Sequence, residues 1–152
     1  MKLVSIPANP VPDHVVTGAI KTPDGVSLRF ARFDPPPGRK GTVVLLQGRA
    51  EYIEKYFETV RELRARGFAV ATIDWRGQGG SERALSNPFK GHVGDFSEYE
   101  RDVEVLMNEV VLPDCPPPIF AIGHSMGGGQ SGSTTCCMMA SRSVAYSEKF
   151  RT

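Results

Sequence analysis

Cysteine is scarce in this chain: three residues in 152, Cys115, Cys136 and Cys137. An odd count with two thiols adjacent in sequence builds neither a disulfide framework nor a Cys-x-x-Cys metal pair. Free thiols in a reducing, cytoplasmic compartment are the expectation, with no metal ligated. Charge of one sign is lacking as well. Lys plus Arg number 18 against 17 Asp plus Glu, and no basic run stands out to follow a phosphate backbone, so nucleic acid is a poor partner. Long hydrophobic runs are missing too. Nothing is long enough to cross a bilayer, and prolines break the first residues where a signal peptide needs an apolar stretch.

What is present is globular: 40% hydrophobic and 23% charged residues, in a length that suits one layered domain. After a proline-broken leader, residues 1–14, two extended stretches, Val15 to Lys21 and Val26 to Phe33, flank Pro23-Asp24-Gly25, a turn sequence. An antiparallel hairpin follows from that. Thr42 to Leu46 is an uninterrupted apolar run of the kind found in strands buried on both faces, and Phe68 to Ile73 is another. Between them, Ile53, Tyr56, Phe57, Val60 and Leu63 recur at helical spacing over Tyr52 to Arg66, and Gly67 is a natural stop. A second stripe, Phe96, Tyr99, Val103, Leu106 and Val110, predicts a helix from Phe96 to Val111 ended by Pro113. Ile119 to Ile122 is a further short strand. Hairpin, strand, helix, strand, helix, strand is the order of an α/β fold, a mainly parallel sheet with helices on its faces.

Directly after that last strand stands Gly123-His124-Ser125-Met126-Gly127, a Gly-x-Ser-x-Gly pattern in strand-to-helix context. Such a turn strains the serine backbone and exposes its Oγ at the carboxyl end of the sheet, while the flanking glycines, Gly123 and Gly127, avoid clashes. The loop after the earlier strand, Gln47-Gly48-Arg49-Ala50-Glu51, is placed to supply one backbone donor to an oxyanion, from Arg49. The residue after the serine, Met126, supplies the other. Gly77, Gly79 and Gly80 have neither Rossmann spacing nor a Walker lysine after them, which excludes a nucleotide loop.

Four segments in order carry a resemblance: Leu45 to Glu51, Asp74 to Ser81, Gly91-His92-Val93 with Asp95-Phe96, and Gly123 to Gly128. Together they resemble the amino-terminal half, residues 15–128, of the lysophospholipase and monoacylglycerol lipase branch of the α/β-hydrolases. Gln47-Gly48 stands where that branch commonly has His-Gly. The resemblance implies hydrolysis of a carboxylic ester by Ser125, without cofactor, on a small acyl ester such as a lysophospholipid or monoacylglycerol. In that fold the acid and histidine follow the serine. Here Glu148 follows it and no histidine does: His14, His92 and His124 all precede it. His124 is expected to pack or hydrogen-bond rather than act as a base, His92 to be structural, and His14 to be solvated. Asp74 and Arg76 are expected to brace their turn, and Glu51 to be a solvated helix start.

After Gly128 helical patterning stops. Residues 129–152 form an atypical tail of the kind a shifted reading frame produces, so the fold is expected to be truncated after the elbow. Two further readings follow from the sequence: a catalytically silent fragment lacking the acid and histidine of a triad, or an interaction module that self-associates through the exposed edge strand Ile119 to Ile122.

Overall fold

The computed structural model describes residues 2–87 and 89–130. The tail expected to be atypical lies, from residue 131 onward, outside the described residues. The sequence hairpin is present: β1 (Val15–Lys21) pairs antiparallel with β2 (Ser27–Phe33), Lys21 opposite Ser27. Thr22 closes the turn, its Oγ1 accepting the Val26 N–H at 2.9 Å, and Gly25 at φ +88° supplies the left-handed residue. β3 (Gly41–Leu46), β4 (Phe68–Ile73) and β5 (Ile119–Gly123) complete one sheet in the order β1-β2-β4-β3-β5. β3 runs parallel to both β4 and β5, while β2 joins β4 antiparallel. Every residue of β3 is buried, as a central strand covered on both faces should be.

A 3-10 turn (Ile53–Tyr56) leads into α1 (Phe57–Ala65), so the expected single helix begins with a tighter turn. Gly67 at φ +97° ends it, its N–H donating to Arg64 O at 2.8 Å. α1 covers one face, where Phe57 and Val60 pack with Phe33, Leu45 and Val70; Phe33 and Phe57 meet edge to face at 6.3 Å between centroids. Phe57→Ala would cost about 3 to 5 kcal/mol by emptying that position. The opposite face is covered by α2 (Ser97–Leu106), through Tyr99, Val103 and Leu106 against Val44, Leu46, Ala71 and Ile73.

The second helix departs from its expected form. α2 gives way to a π turn (Met107–Val111) and a short α3 (Leu112–Asp114) that contains Pro113 rather than stopping before it. Val110 and Val111 lie side by side in the wider turn, and both are buried. The leader, too, packs down. Leu3 is buried with the α1 face, Val4 N–H donates to Glu54 Oε1 at 3.1 Å and Asn9 Nδ2 to Glu54 O at 2.8 Å. No helix among the described residues is long and apolar enough to cross a membrane.

Candidate active site

β3 and β5 lie side by side with Leu46 opposite Gly123, so the loops leaving their carboxyl ends emerge next to each other. His124 N–H donates to Leu46 O at 3.0 Å and carries the pairing one residue into the turn. Ser125 then takes φ +52°, in the left-handed region that disfavours a side chain, and is exposed. Close backbone approach requires the glycines around it. A Cβ on Gly123 would lie 2.5 Å from Gly127 O, and one on Gly127 would lie 2.7 Å from Gln47 O. Both distances are shorter than any real carbon contact, so the turn and the start of α4 (Met126–Gln130) exist only without those side chains.

The loop after β3 is strained in the same sense: Ala50 sits at φ +62°, and its N–H is taken by Gln78 Oε1. Arg49 and Met126, the expected oxyanion donors, line one cleft of about 780 Å³ with Tyr52, His92, Phe96 and Tyr99. The fold thus brings the two loops to one opening, and Ser125 immediately precedes the Met126 wall. His92 reaches this cleft as well. His14 is exposed at the start of β1.

Glu51 corrects the sequence reading. Instead of a solvated helix start it is 7% exposed. Its Oε2 accepts the Gly48 N–H at 2.7 Å, the His124 Nδ1–H at 3.0 Å and the Tyr56 hydroxyl, and its Oε1 accepts Lys55 Nζ at 2.5 Å. The Nδ1–H tautomer is the one in which His124 donates to this carboxylate, which can only accept; the Tyr56 hydroxyl lies 3.2 Å from the same nitrogen. Burial alone would raise the Glu51 pKa, but the Lys55, Tyr56, His124 and Gly48 donors outweigh it and hold the carboxyl at about 2. The Tyr56 hydroxyl is pushed well above its usual value, first by burial and then by the neighbouring carboxylate. The Glu51-Lys55 spacing of four residues was the signal in the sequence; the donors Gly48 and His124 were not legible there. His124 takes the hydrogen-bonding role expected of it.

Beneath the cleft, Asp74 and Arg76 brace their turn. Asp74 is fully buried and accepts Arg29 Nε at 2.6 Å, Ile53 N–H at 2.9 Å and Gly80 N–H at 2.7 Å. Arg76 pairs with Asp102, Asp24 and Glu98. Trp75 is buried between them, its indole N–H donating to Gln47 O at 2.8 Å. The Gln47 carboxamide is also buried, and neither its nitrogen nor its oxygen has a hydrogen-bond partner among the described residues.

The sequence profile of the family described as Serine aminopeptidase, S33, matches residues 37–142. The chain belongs to this family. The matched span runs past Gly128 into the tail. Within the family, the chain is an α/β-hydrolase of the lysophospholipase and monoacylglycerol lipase branch. It is 38% identical over 108 residues to lysophospholipase L2 of Escherichia coli strain K12, covering 71% of this chain and 32% of that protein. It is 33% identical over 106 residues to a monoacylglycerol lipase of Mycolicibacterium smegmatis, covering 69% and 36%. Among solved structures, a highly thermostable carboxyl esterase from Bacillus coagulans in complex with glycerol superposes with TM-score 0.65 at 22% identity, over 78% of this chain and 39% of that one. That likeness shows the fold. The chain spans about a third of the length of the curated relatives it matches.

Proposed function

We propose that this chain carries the nucleophile and oxyanion loops of a carboxylic ester hydrolase, with Ser125 as the nucleophile. The observation that carries the reading is the strained, exposed Ser125 at the end of β5, beside a cleft lined by Arg49 and Met126. Ser125 Oγ attacks the ester carbonyl, the Arg49 and Met126 N–H groups receive the developing oxyanion, the alcohol departs with a proton, and water then releases the acid. A serine hydroxyl needs a base for this. His124 is committed to Glu51, which leaves His92, in the cleft, or a group outside residues 1–152.

The acyl ester is a lysophospholipid or a monoacylglycerol, and the cleft favours the first. Arg49 lines its wall, while its carboxylate, Glu51, is already paired with Lys55. A phosphate on the alcohol suits that charge. Faster hydrolysis of the phosphate-bearing ester than of a monoacylglycerol with the same acyl chain is the expected result.

Labelling by a fluorophosphonate probe tests the nucleophile. Labelling lost in Ser125→Ala is expected; labelling that survives the substitution removes Ser125 from the role. A folded chain that takes no label favours the second reading, a silent module that associates through β5, the last strand in the sheet order. Concentration-dependent size on a sizing column would then accompany it.

A further inference from the structure

Sheet pairing aligns the oxyanion loop with the elbow only as far as Leu46 and Gly123, with the His124 N–H to Leu46 O bond one step beyond. Past that point each loop holds a residue at positive φ, Ala50 in one and Ser125 in the other. Strained positions persist only where surrounding contacts over-determine them. Gly127 lies against Gln47 O, where a Cβ would come within 2.7 Å, and one side chain also bridges the two loops. Glu51 Oε2 receives the Gly48 N–H at 2.7 Å from its own loop and the His124 Nδ1–H at 3.0 Å from the elbow. Gly48 precedes Arg49, and His124 lies two residues before Met126, so a single oxygen atom grips both loops next to their cleft-lining donors.

We propose that Glu51 is a positioning residue that latches the oxyanion loop to the elbow; its catalytic meaning rests on the function proposed above. Gly48 supports the assignment independently. A Cβ there would lie 2.8 Å from Glu51 Oε2 and 3.0 Å from His124 Nδ1, so the latch closes only over a glycine. Lys55 and Tyr56, both from the turn into α1, hold the carboxylate from its other side. A buried carboxylate is tolerated because every one of these donors is present. The use of such a latch is geometric: oxyanion donors stabilise a transition state only when held at hydrogen-bond distance from where charge develops, and a shift of about 1 Å costs a large part of the rate.

Backbone amide relaxation by NMR on the full chain tests the latch across the gap. In Glu51→Gln the order parameter of Met126, in the other loop, falls from about 0.85 to below about 0.6. In His124→Phe, which removes the latch from its exposed side and leaves the buried network in place, Met126 shows the same fall while Arg49, still held through Gly48, keeps its order. The hairpin from Val15 to Phe33 keeps its order in both variants. Order unchanged across the gap, or lost equally in the hairpin, overturns the proposal; if Glu51→Gln does not fold, His124→Phe decides alone. Fluorophosphonate labelling of the wild-type chain, run in parallel, reports separately on the hydrolase reading. Where Ser125 takes label, Glu51→Gln also lowers kcat on a soluble ester with KM unchanged, a split that a merely structural residue would not give.

Discussion

Two turns at the carboxyl end of the sheet are held by opposite means. The turn after β4 is held by charge. Asp74 is gripped by Arg29, Ile53 and Gly80, and Arg76 by Asp102, Asp24 and Glu98, all close beneath the cleft. The elbow after β5 is held chiefly by the absence of bulk: Gly123 and Gly127 let backbone lie on backbone, and the Glu51 carboxylate grips the neighbouring His124 side chain, not Ser125 itself. The first turn therefore fails when a charge is removed, whereas the second fails when an atom is added and only loosens when its latch to Glu51 is cut. A site built this way keeps its rigid, polar support on one side and its strained serine on the other, where the support need not share the space of a substrate.

The largest expected effect breaks the charged side. Arg29→Ala leaves Asp74 and Glu54 buried without their cation, at a cost of about 3 to 5 kcal/mol, read from the denaturant midpoint. A loss under about 1 kcal/mol would mean that the Asp74 turn is held by its backbone bonds and the contrast is wrong. On the other side, Gly127→Ala drives a methyl into the end of β3, at about 1 to 3 kcal/mol, with no charge touched. Gly91→Ala is the control within the same cleft, since a Cβ there meets nothing within 4 Å; its stability should stay within about 0.5 kcal/mol of wild type. Equal losses at the two glycines would show that backbone freedom, not volume, governs the elbow.

The shape-held region was the more legible in sequence. Glycines at fixed offsets around a serine, directly after an apolar strand, can be read because close backbone approach leaves a residue-type signature. The hairpin turn at Pro23-Asp24-Gly25, the uniformly apolar β3 and the stop at Gly67 were legible for the same reason. The charge-held region was only partly so. Asp74 and Arg76 were expected to brace their turn, but Arg29 sits in a strand whose alternation reads as half-exposed, and its partners Glu54 and Asp74 lie 25 and 45 residues away. Glu51 was misread for that reason: one of the groups that hold it, His124, lies 73 residues on. The π turn at Met107–Val111 was hidden because two adjacent valines fit a helical stripe as well as they fit a wider turn.

Acid sharpens the comparison at an intermediate scale. The Glu51 carboxyl is depressed from 4.5 to about 2, so its contribution to stability is present above pH 4.5 and is lost as the pH falls toward 2. The denaturation midpoints of wild type and Glu51→Gln should therefore converge over that interval and stay apart above it. Convergence on the alkaline side instead would show that Glu51 is not held as a carboxylate.

The smallest effect is the most discriminating, because it separates charge from burial. Arg66, directly after α1, and Glu62, within it, form an ion pair of 2.7 Å, the same length as Arg76 to Asp102. Their side chains are 61% and 60% exposed, against 5% and 0% for the buried pair. If length decided the strength, Glu62→Gln would cost as much as removing Asp102. Solvent screening and the entropy of two long side chains instead leave about 0.3 to 0.5 kcal/mol, which salt erodes further. Asp102→Asn takes from Arg76 the fully buried carboxylate of its three partners and should cost several times more, with little salt dependence. A salt titration of both variants reads the difference directly: equal slopes would mean that water reaches the turn after β4, and that its charges do not hold it in the way the geometry requires.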